Sequence, residues 1–399
     1  MVVIKKPLFG MLLLTFLQFA AMAQKPDVKK AFSRAENQTL LMLKEVAQAK
    51  AAVNNPNLVS PRTLENGQLK LVASRDWTSG FFPGVLWFLY ENSNNADWLE
   101  LAKIYSAPIE KEKTNGGTHD MGFKIYCSIG SGYRLTKDAH YKDVIIESAK
   151  TLITRFNPKT GVIRSWDHNT DKWVNPVIID NMMNLELLFE ASILTGDSSF
   201  YKIAVSHANI TMKNHFRPDY SSYHVIDYDP ETGEVRKKNT HQGYSHESAW
   251  ARGQAWALYG YTMCYRYTKD PAYLKQAEAV TNYLLNHPNM PKDLVPYWDF
   301  NAPNIPDEPR DVSAAAVIAS GLYELTGYSS NKELYKSKAD MIIHNLSTKY
   351  VSPKGENRGF ILLHSTGSKP SKSEVDVPLS YADYYYLEAL LRYKAGKND

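Results

Sequence analysis

Several segments of this 399-residue chain set a carboxylate among glycines, aromatics and amides, where a merely solvated charge would have no reason to sit. In Val177-Ile178-Ile179-Asp180-Asn181-Met182-Met183, Asp180 follows an apolar run and precedes two methionines, so a helical reading turns it towards the interior. Buried acids are rare unless paired or functional. Desolvation and a neighbouring carboxylate would both raise its pKa, which is what a general acid working near neutral pH requires; the alternative is a core aspartate bonded to backbone amides. His119-Asp120-Met121-Gly122-Phe123 opens another apolar segment, with Asp120 either an N-cap or a second active carboxylate beside an imidazole. Asp76, ahead of Trp77-Thr78-Ser79-Gly80-Phe81-Phe82-Pro83-Gly84, is a candidate acid or a loop brace. His241-Gln242 and Trp250-Ala251-Arg252-Gly253-Gln254-Ala255-Trp256 add indoles, a guanidinium and amides. On a helix Arg252 and Trp256 are four apart and share a face: a sugar-stacking plate beside an anion hook, or a structural cation–π pair. Pro296-Tyr297-Trp298-Asp299-Phe300 and Asp311-Val312-Ser313-Ala314-Ala315-Ala316 read as wall and packing elements.

Other chemistries have no carrier. The 11 histidines are scattered, with no His-Glu-x-x-His, no phosphate-binding Gly-Lys-Ser/Thr loop, no dinucleotide fingerprint and no Gly-x-Ser-x-Gly elbow. Neither a metal nor an organic cofactor is expected. The formal charge is +4 and the longest basic run is Arg236-Lys237-Lys238, so nucleic acid is not an expected partner. Aromatics make up 12% of the chain, 26 of them tyrosines, and flat amphipathic rings suit the apolar faces of sugars. Carboxylate acid/base catalysis in an aromatic cleft therefore favours a carbohydrate substrate.

The elements that must hold these residues are helical hairpins. Thr136-Lys137-Asp138, Thr195-Gly196-Asp197, Thr268-Lys269-Asp270 and Thr326-Gly327-Tyr328 each end one apolar segment; an aromatic (Tyr141, Tyr201, Tyr273, Tyr335) and apolar residues at three- and four-residue steps follow. Asn94-Asn95-Ala96-Asp97-Trp98-Leu99 is a degenerate fifth copy. A sixth hairpin combines the segment after Ala31 with the helix at Tyr381–Tyr393. Wide variation in the loops, which carry the aromatic clusters, favours closure into an all-α (α/α)6 toroid over an open solenoid, as a single domain spanning residues 24–399. Lys5 and Lys6, an apolar run from Pro7 and Ala21-Met22-Ala23 read as a secretory leader, residues 1–23, with no membrane segment in the mature chain. Cys127 and Cys264, each in an apolar segment, are expected to be buried free thiols.

Taken together, Asp76-Trp77-x-x-Gly80-Phe81-x-Pro83-Gly84, His119-Asp120-x-Gly122-Phe123, Ile179-Asp180-Asn181-Met182-Met183-Asn184, Trp250-x-Arg252-Gly253-Gln254-Ala255-Trp256, Pro296-x-Trp298-Asp299-Phe300 and Asp383-Tyr384-Tyr385 resemble the motifs of glycoside hydrolase family 88, the unsaturated glucuronyl hydrolases, in that family's order and over residues 75–393. The resemblance implies an (α/α)6 barrel acting on lyase-generated, glycosaminoglycan-type oligosaccharides whose non-reducing end is a 4,5-unsaturated uronate, by hydration of the vinyl ether. It implies Asp180 as general acid/base, and Asp120 as a second carboxylate that holds the ring hydroxyls and keeps Asp180 protonated at rest. Gln242, Trp250, Arg252 and Trp256 match substrate-cleft positions, with Trp166 a further stacking wall, His119 a further substrate-binding residue, and His241 expected against either the uronate or the catalytic water. Ser365–Ser380 would form a lip of the cleft, with Lys369 and Lys372 either meeting a sulfate or solvated. The related family 105, which takes unsaturated rhamnogalacturonyl substrates on the same toroid, is the alternative, and a glycan-binding toroid without catalysis is a third. Export would place the protein in the periplasm of a Gram-negative cell.

Overall fold

The computed structural model of the protein describes residues 25–53 and 55–396, so the expected leader lies outside the described residues. Helix α1 (Val28–Val53) comes first. Then α2 (Phe81–Ser93) turns into α3 (Ala96–Ser106), and a π-helix, Gly122–Gly130, continues as α4 (Ser131–Thr136) and turns into α5 (Ala139–Ile153). The pairs α6 (Leu185–Thr195) and α7 (Ser198–Asn214), α8 (Ala251–Thr268) and α9 (Pro271–Asn286), and α10 (Val312–Leu325) and α11 (Lys332–Thr348) follow, and α12 (Ser380–Ala395) comes last.

An inner ring runs α2, π-helix, α6, α8, α10, α12 and back to α2, each element packed on the next. Contact between the first and last inner helices closes the array, so the expected all-α toroid is the observed fold. Two kinds of helix sequence produce this arrangement. Inner helices are buried on all sides over long stretches: all of Phe81–Leu89 in α2 and Val312–Tyr323 in α10 are buried. Outer helices bury one stripe, as α9 does with Tyr273, Gln276, Ala277, Val280, Thr281 and Leu284.

The repeated turn has a complete physical account. Lys137, Gly196 and Lys269 adopt the left-handed conformation that ends a helix, and Asp138, Asp197 and Asp270 cap the next, accepting from the N–H groups of His140, Ser199 and Ala272. Threonine completes the motif: the Thr136, Thr195 and Thr268 hydroxyls donate to the carbonyl four residues back and accept from the aspartate N–H at 3.1–3.2 Å. Such a cap contributes about 1 kcal/mol. The fourth turn departs from the pattern because Tyr328 has no short acceptor; the cap shifts to Asn331, which makes no side-chain capping bond.

Loops at one end carry short antiparallel strands that the sequence pattern does not announce. They are β1 (Leu58–Glu65) with β2 (Gln68–Ala73), β3 (Phe156–Asn157) with β4 (Val162–Ile163), and a sheet of β5 (Pro176–Ile178), β6 (Val225–Tyr228) and β7 (Val235–Asn239) in that order. Glycines allow two close approaches beneath them. A Cβ on Gly80 would lie 2.2 Å from the Lys124 carbonyl oxygen, and one on Gly122 would lie 2.7 Å from Asn184 Cα. Cys127 and Cys264 are buried free thiols, as expected. Among the described residues no helix is long and apolar enough to cross a membrane.

Candidate active site

Every inner helix begins at the same end of the ring. Trp77 precedes α2, Asp120 precedes the π-helix, Asp180 precedes α6, Arg252 lies in the first turn of α8, Asp311 caps α10, and Tyr381 lies in the first turn of α12. Positive dipole ends therefore converge on this end, which suits an anion. A cavity of about 320 Å³ opens there, and Asp120, Asp180, His119, Trp166, Gln242 and Arg252 all line it.

Asp180 sits in a 3-10 turn, Ile179–Asn184, that follows β5. Its backbone is fixed from three sides. The Ile179 N–H donates to the His224 carbonyl (3.1 Å), Asn181 donates to the Ile163 carbonyl (2.8 Å), and Asn184 Oδ1 accepts from the Phe123 N–H (3.1 Å), tying the turn of Asp180 to that of Asp120. The Asp180 side chain keeps 11% exposure, with His224 Nε2 at 3.5 Å from Oδ2, longer than a hydrogen bond. His224 Nδ1 accepts from the N–H groups of His241 and Gln242 at 3.0 and 3.1 Å, which makes it the unprotonated nitrogen and turns the Nε2–H towards Asp180. Burial pushes the Asp180 carboxyl up, but His224 beside it, with Arg252 and His119 further off, outweighs burial and holds it below the ordinary aspartate value. That differs from the expected upward shift, because the groups facing Asp180 are imidazoles and a guanidinium.

Asp120 is more open, with 20% of its side chain exposed; it accepts from the Thr118 hydroxyl at 2.8 Å and lies 3.2 Å from His119 Nε2. Burial lowers the His119 imidazole below its ordinary value, against the pull of Asp120 and Asp180, so this ring stands within the fields of both acids. Trp166 is 9% exposed, its indole N–H has no partner, and His168 stacks on it at 5.3 Å.

Arg252 is more occupied than an anion hook would be. It is 1% exposed, donates to Asp311 at 2.6 Å and to the carbonyls of Thr366 and Gly367 at 2.7 Å, and leaves only Nε without a partner. Its guanidinium lies between the rings of Trp250 (4.5 Å) and Tyr381 (5.3 Å), so the cation–π pair is with these rings and not with Trp256. Trp256 is fully buried against Phe123 and Tyr385, and its expected sugar-facing surface is covered. Trp250 likewise stands behind the wall, tilted against His224 at 4.6 Å between ring centres. His241 is also one layer back, against Trp166 and Trp173 at 5.7 Å, and burial lowers its imidazole to about 4.

Gly367, Ser368, Ser373 and Glu374 form the expected lip. Gln242 donates to the Gly367 carbonyl at 3.1 Å, and Arg62 grips Glu374 with two bonds, 2.5 and 2.9 Å, while also holding Asp76 at 2.8 Å. Asp76 is thus a loop brace, accepting also from Thr78. Lys369 is turned away, bonded to Glu308 and lying over Trp298, whereas Lys372 is exposed. Behind the lip, Asp383 accepts from the N–H groups of Ile361 (3.0 Å) and Leu362 (2.9 Å), and burial pushes its carboxyl up to about 7. Arg62, Glu374 and His224 carry no local sequence signal; their partners come from distant chain segments.

A second cavity, about 250 Å³, lies where the inner helices end, lined by Arg134, Arg266, Arg392, Glu186 and Glu388 among others. Arginines there complement the negative helix ends. Between the two cavities Phe81, Phe123, Trp256 and Tyr385 touch ring to ring at 5.3–6.0 Å. Among the described residues no group of three His, Cys, Asp or Glu is placed to hold a metal ion.

A closed ring of helical hairpins with two carboxylates in an aromatic-walled, dipole-ringed cavity defines a glycoside hydrolase of the α/α-toroid type. The chain belongs to Glycosyl Hydrolase Family 88, whose profile matches residues 52–394. It is 51% identical over 371 residues to the unsaturated glucuronyl hydrolase of Formosa agariphila, covering 92% of this chain and 91% of that one. It is 35% identical over 341 residues to the unsaturated chondroitin disaccharide hydrolase of Streptococcus pneumoniae, covering 84% and 85%. Among solved structures, an unsaturated glucuronyl hydrolase specific for heparin superposes with a TM-score of 0.87 at 44% identity, over 93% of this chain and 98% of that one.

Proposed function

We propose that this protein removes the 4,5-unsaturated glucuronyl residue from the non-reducing end of glycosaminoglycan-type lyase products, as an exported enzyme with a leader cut after Ala23 and residues 24–399 as one catalytic unit. The observation that carries the reading is the sharing of one cavity by Asp120 and Asp180, with His119 in the field of both and six inner-helix N-termini around them. The likeness to an unsaturated glucuronyl hydrolase and to an unsaturated chondroitin disaccharide hydrolase supports the substrate class.

Asp180 delivers a proton to C4 of the enol ether, and its carboxylate then takes a proton from the water that adds at C5. The hemiketal so formed opens to the C5 ketone, and the C1 hemiacetal expels the remaining sugar as an alcohol. Asp120, open to the cavity, accepts from ring hydroxyls. The groups around Asp180 favour its carboxylate form. A uronate entering the cavity adds negative charge and excludes water; both shift the group towards its acid form. Substrate thus replaces the resting role first expected for Asp120.

Asp180→Asn is the test. The variant should retain its circular dichroism and lose the decay of conjugated-uronate ultraviolet absorbance, assayed on unsaturated chondroitin, heparin, hyaluronan and ulvan lyase products. Near-normal turnover would remove the assigned role. Wild-type turnover of the ulvan product alone would transfer the protein to the rhamnogalacturonyl-type activity, and silence on all four would favour a binding protein.

A further inference from the structure

The basic run Arg236-Lys237-Lys238 takes no part in the reaction above, yet it lies on β7, whose last residue, Asn239, bonds the tryptophan that packs behind the cavity wall. Register pairs Val225 with Asn239 and Asp227 with Lys237, so side-chain alternation puts Lys237 and Asn239 on the sheet face that carries Val225. On that face Trp166, Trp173, Ile178 and Val225 form one apolar cluster. Trp173 meets Trp166, the cavity's own wall, at 5.5 Å and donates to Asn239 at 3.4 Å. Beyond it stand Lys172, with Nζ 5.9 Å from the Trp173 ring, and Lys237, which donates to the Lys172 carbonyl at 3.3 Å. Lys172 is near enough for its charge to act on His241. Arg236 and Lys238 are otherwise engaged, 3.8 Å from Asp227 and over the Tyr223 ring respectively.

Lys172 and Lys237 are exposed, and among the described residues neither forms an ion pair, although Asp171 is adjacent in sequence. Lysines on an edge strand also block edge-to-edge pairing. That role accounts for Lys237 but not for Lys172, which lies in the loop before β5.

We propose that Lys172 and Lys237, carried above the buried Trp173, form an outer subsite for an anionic substituent, sulfate or carboxylate, on the sugars beyond the scissile linkage of longer lyase products. This rests on the function proposed above. A chain leaving the cavity past the Trp166 wall meets the two ammonium groups, while a disaccharide ends before reaching them. Length preference and charge preference are therefore one property of this ledge.

The test compares Lys172→Ala/Lys237→Ala and Lys172→Glu/Lys237→Glu with wild type on unsaturated disaccharides and on unsaturated tetrasaccharides of chondroitin sulfate and hyaluronan. Tetrasaccharide kcat/KM should fall about threefold in the double alanine variant and about tenfold in the charge reversal, through KM, with a flatter salt dependence. Disaccharide values should stay within about twofold of wild type, since no contact to the disaccharide is removed. A fall confined to the sulfated tetrasaccharide identifies sulfate as the group bound; a fall on both identifies carboxylate. An unchanged ratio of tetrasaccharide to disaccharide kcat/KM overturns the subsite while leaving the proposed function intact, whereas failure of wild type on every disaccharide strikes that function instead.

Discussion

Replacing Arg252 with alanine distinguishes a strut from a substrate anchor. The guanidinium is 1% exposed and its partner Asp311 is fully buried, so removing one charge strands the other in a medium where it cannot be solvated. Breaking such a pair costs about 3–5 kcal/mol. The carbonyls of Thr366 and Gly367 lose their donors as well, loosening the lip. At about 2 °C per kcal/mol for a chain of this size, Arg252→Ala should melt roughly 5–10 °C below wild type. The second half of the prediction is a coupling. Asp311→Asn keeps the oxygen that caps α10 through the Ser313 N–H but removes the charge. In Arg252→Ala/Asp311→Asn no carboxylate is stranded, and the double variant should regain about 1–3 kcal/mol relative to Arg252→Ala. Differential scanning calorimetry and urea unfolding read the cycle, and the uronate absorbance assay reads kcat and KM in parallel. An Arg252→Ala protein with unaltered melting and a rise in KM alone would refute the strut reasoning and make Arg252 a free anion hook.

Two further outcomes follow from the same geometry. Trp166→Ala should raise KM for an unsaturated disaccharide about tenfold and also lower the melting temperature, because the ring packs in an apolar cluster with Trp173, Ile178 and Val225, whereas Trp256→Phe should leave KM unchanged and Trp256→Ala should cost about 3–5 kcal/mol of stability; the reverse pattern in KM would show Trp256 to be the residue that meets sugar. Asp383, with its carboxyl pushed up to about 7 in the folded chain against an unfolded value near 3.8, binds its proton more tightly when folded. Its contribution is present in full below pH 3.8 and is lost as pH rises to about 7, amounting to at most about 4 kcal/mol. Melting temperature measured from pH 4 to 7 should therefore fall more steeply in wild type than in Asp383→Asn, and parallel curves would contradict the assignment.

What could be read from sequence was whatever a few adjacent residues determine. Thr-x-Asp turns carry their own hydrogen bonds, so three of the hairpins follow from them alone, and the odd apolar setting of Asp180 marks it without reference to any distant residue. Spacing alone failed at Trp256. Four residues on a helix place two side chains on one face, but nothing local tells which neighbours cover that face, and here Phe123 and Tyr385 do. His224 was invisible for a related reason: the pairing of Ile178 with Val225 brings it beside Asp180, and strand register between distant segments has no local signature. The direction of the Asp180 shift was misjudged because it depends on those same distant partners. Arg62 and Glu374, 312 residues apart, meet only once the ring has closed.

The layer of Phe81, Phe123, Trp256 and Tyr385 makes the bore of the toroid a well and not a tunnel. A glycan can lower its tip into such a well but cannot be threaded through it, so every product must back out by the route it entered before another tip can descend. Under the function proposed above, turnover is therefore counted in chain ends and not in chain length.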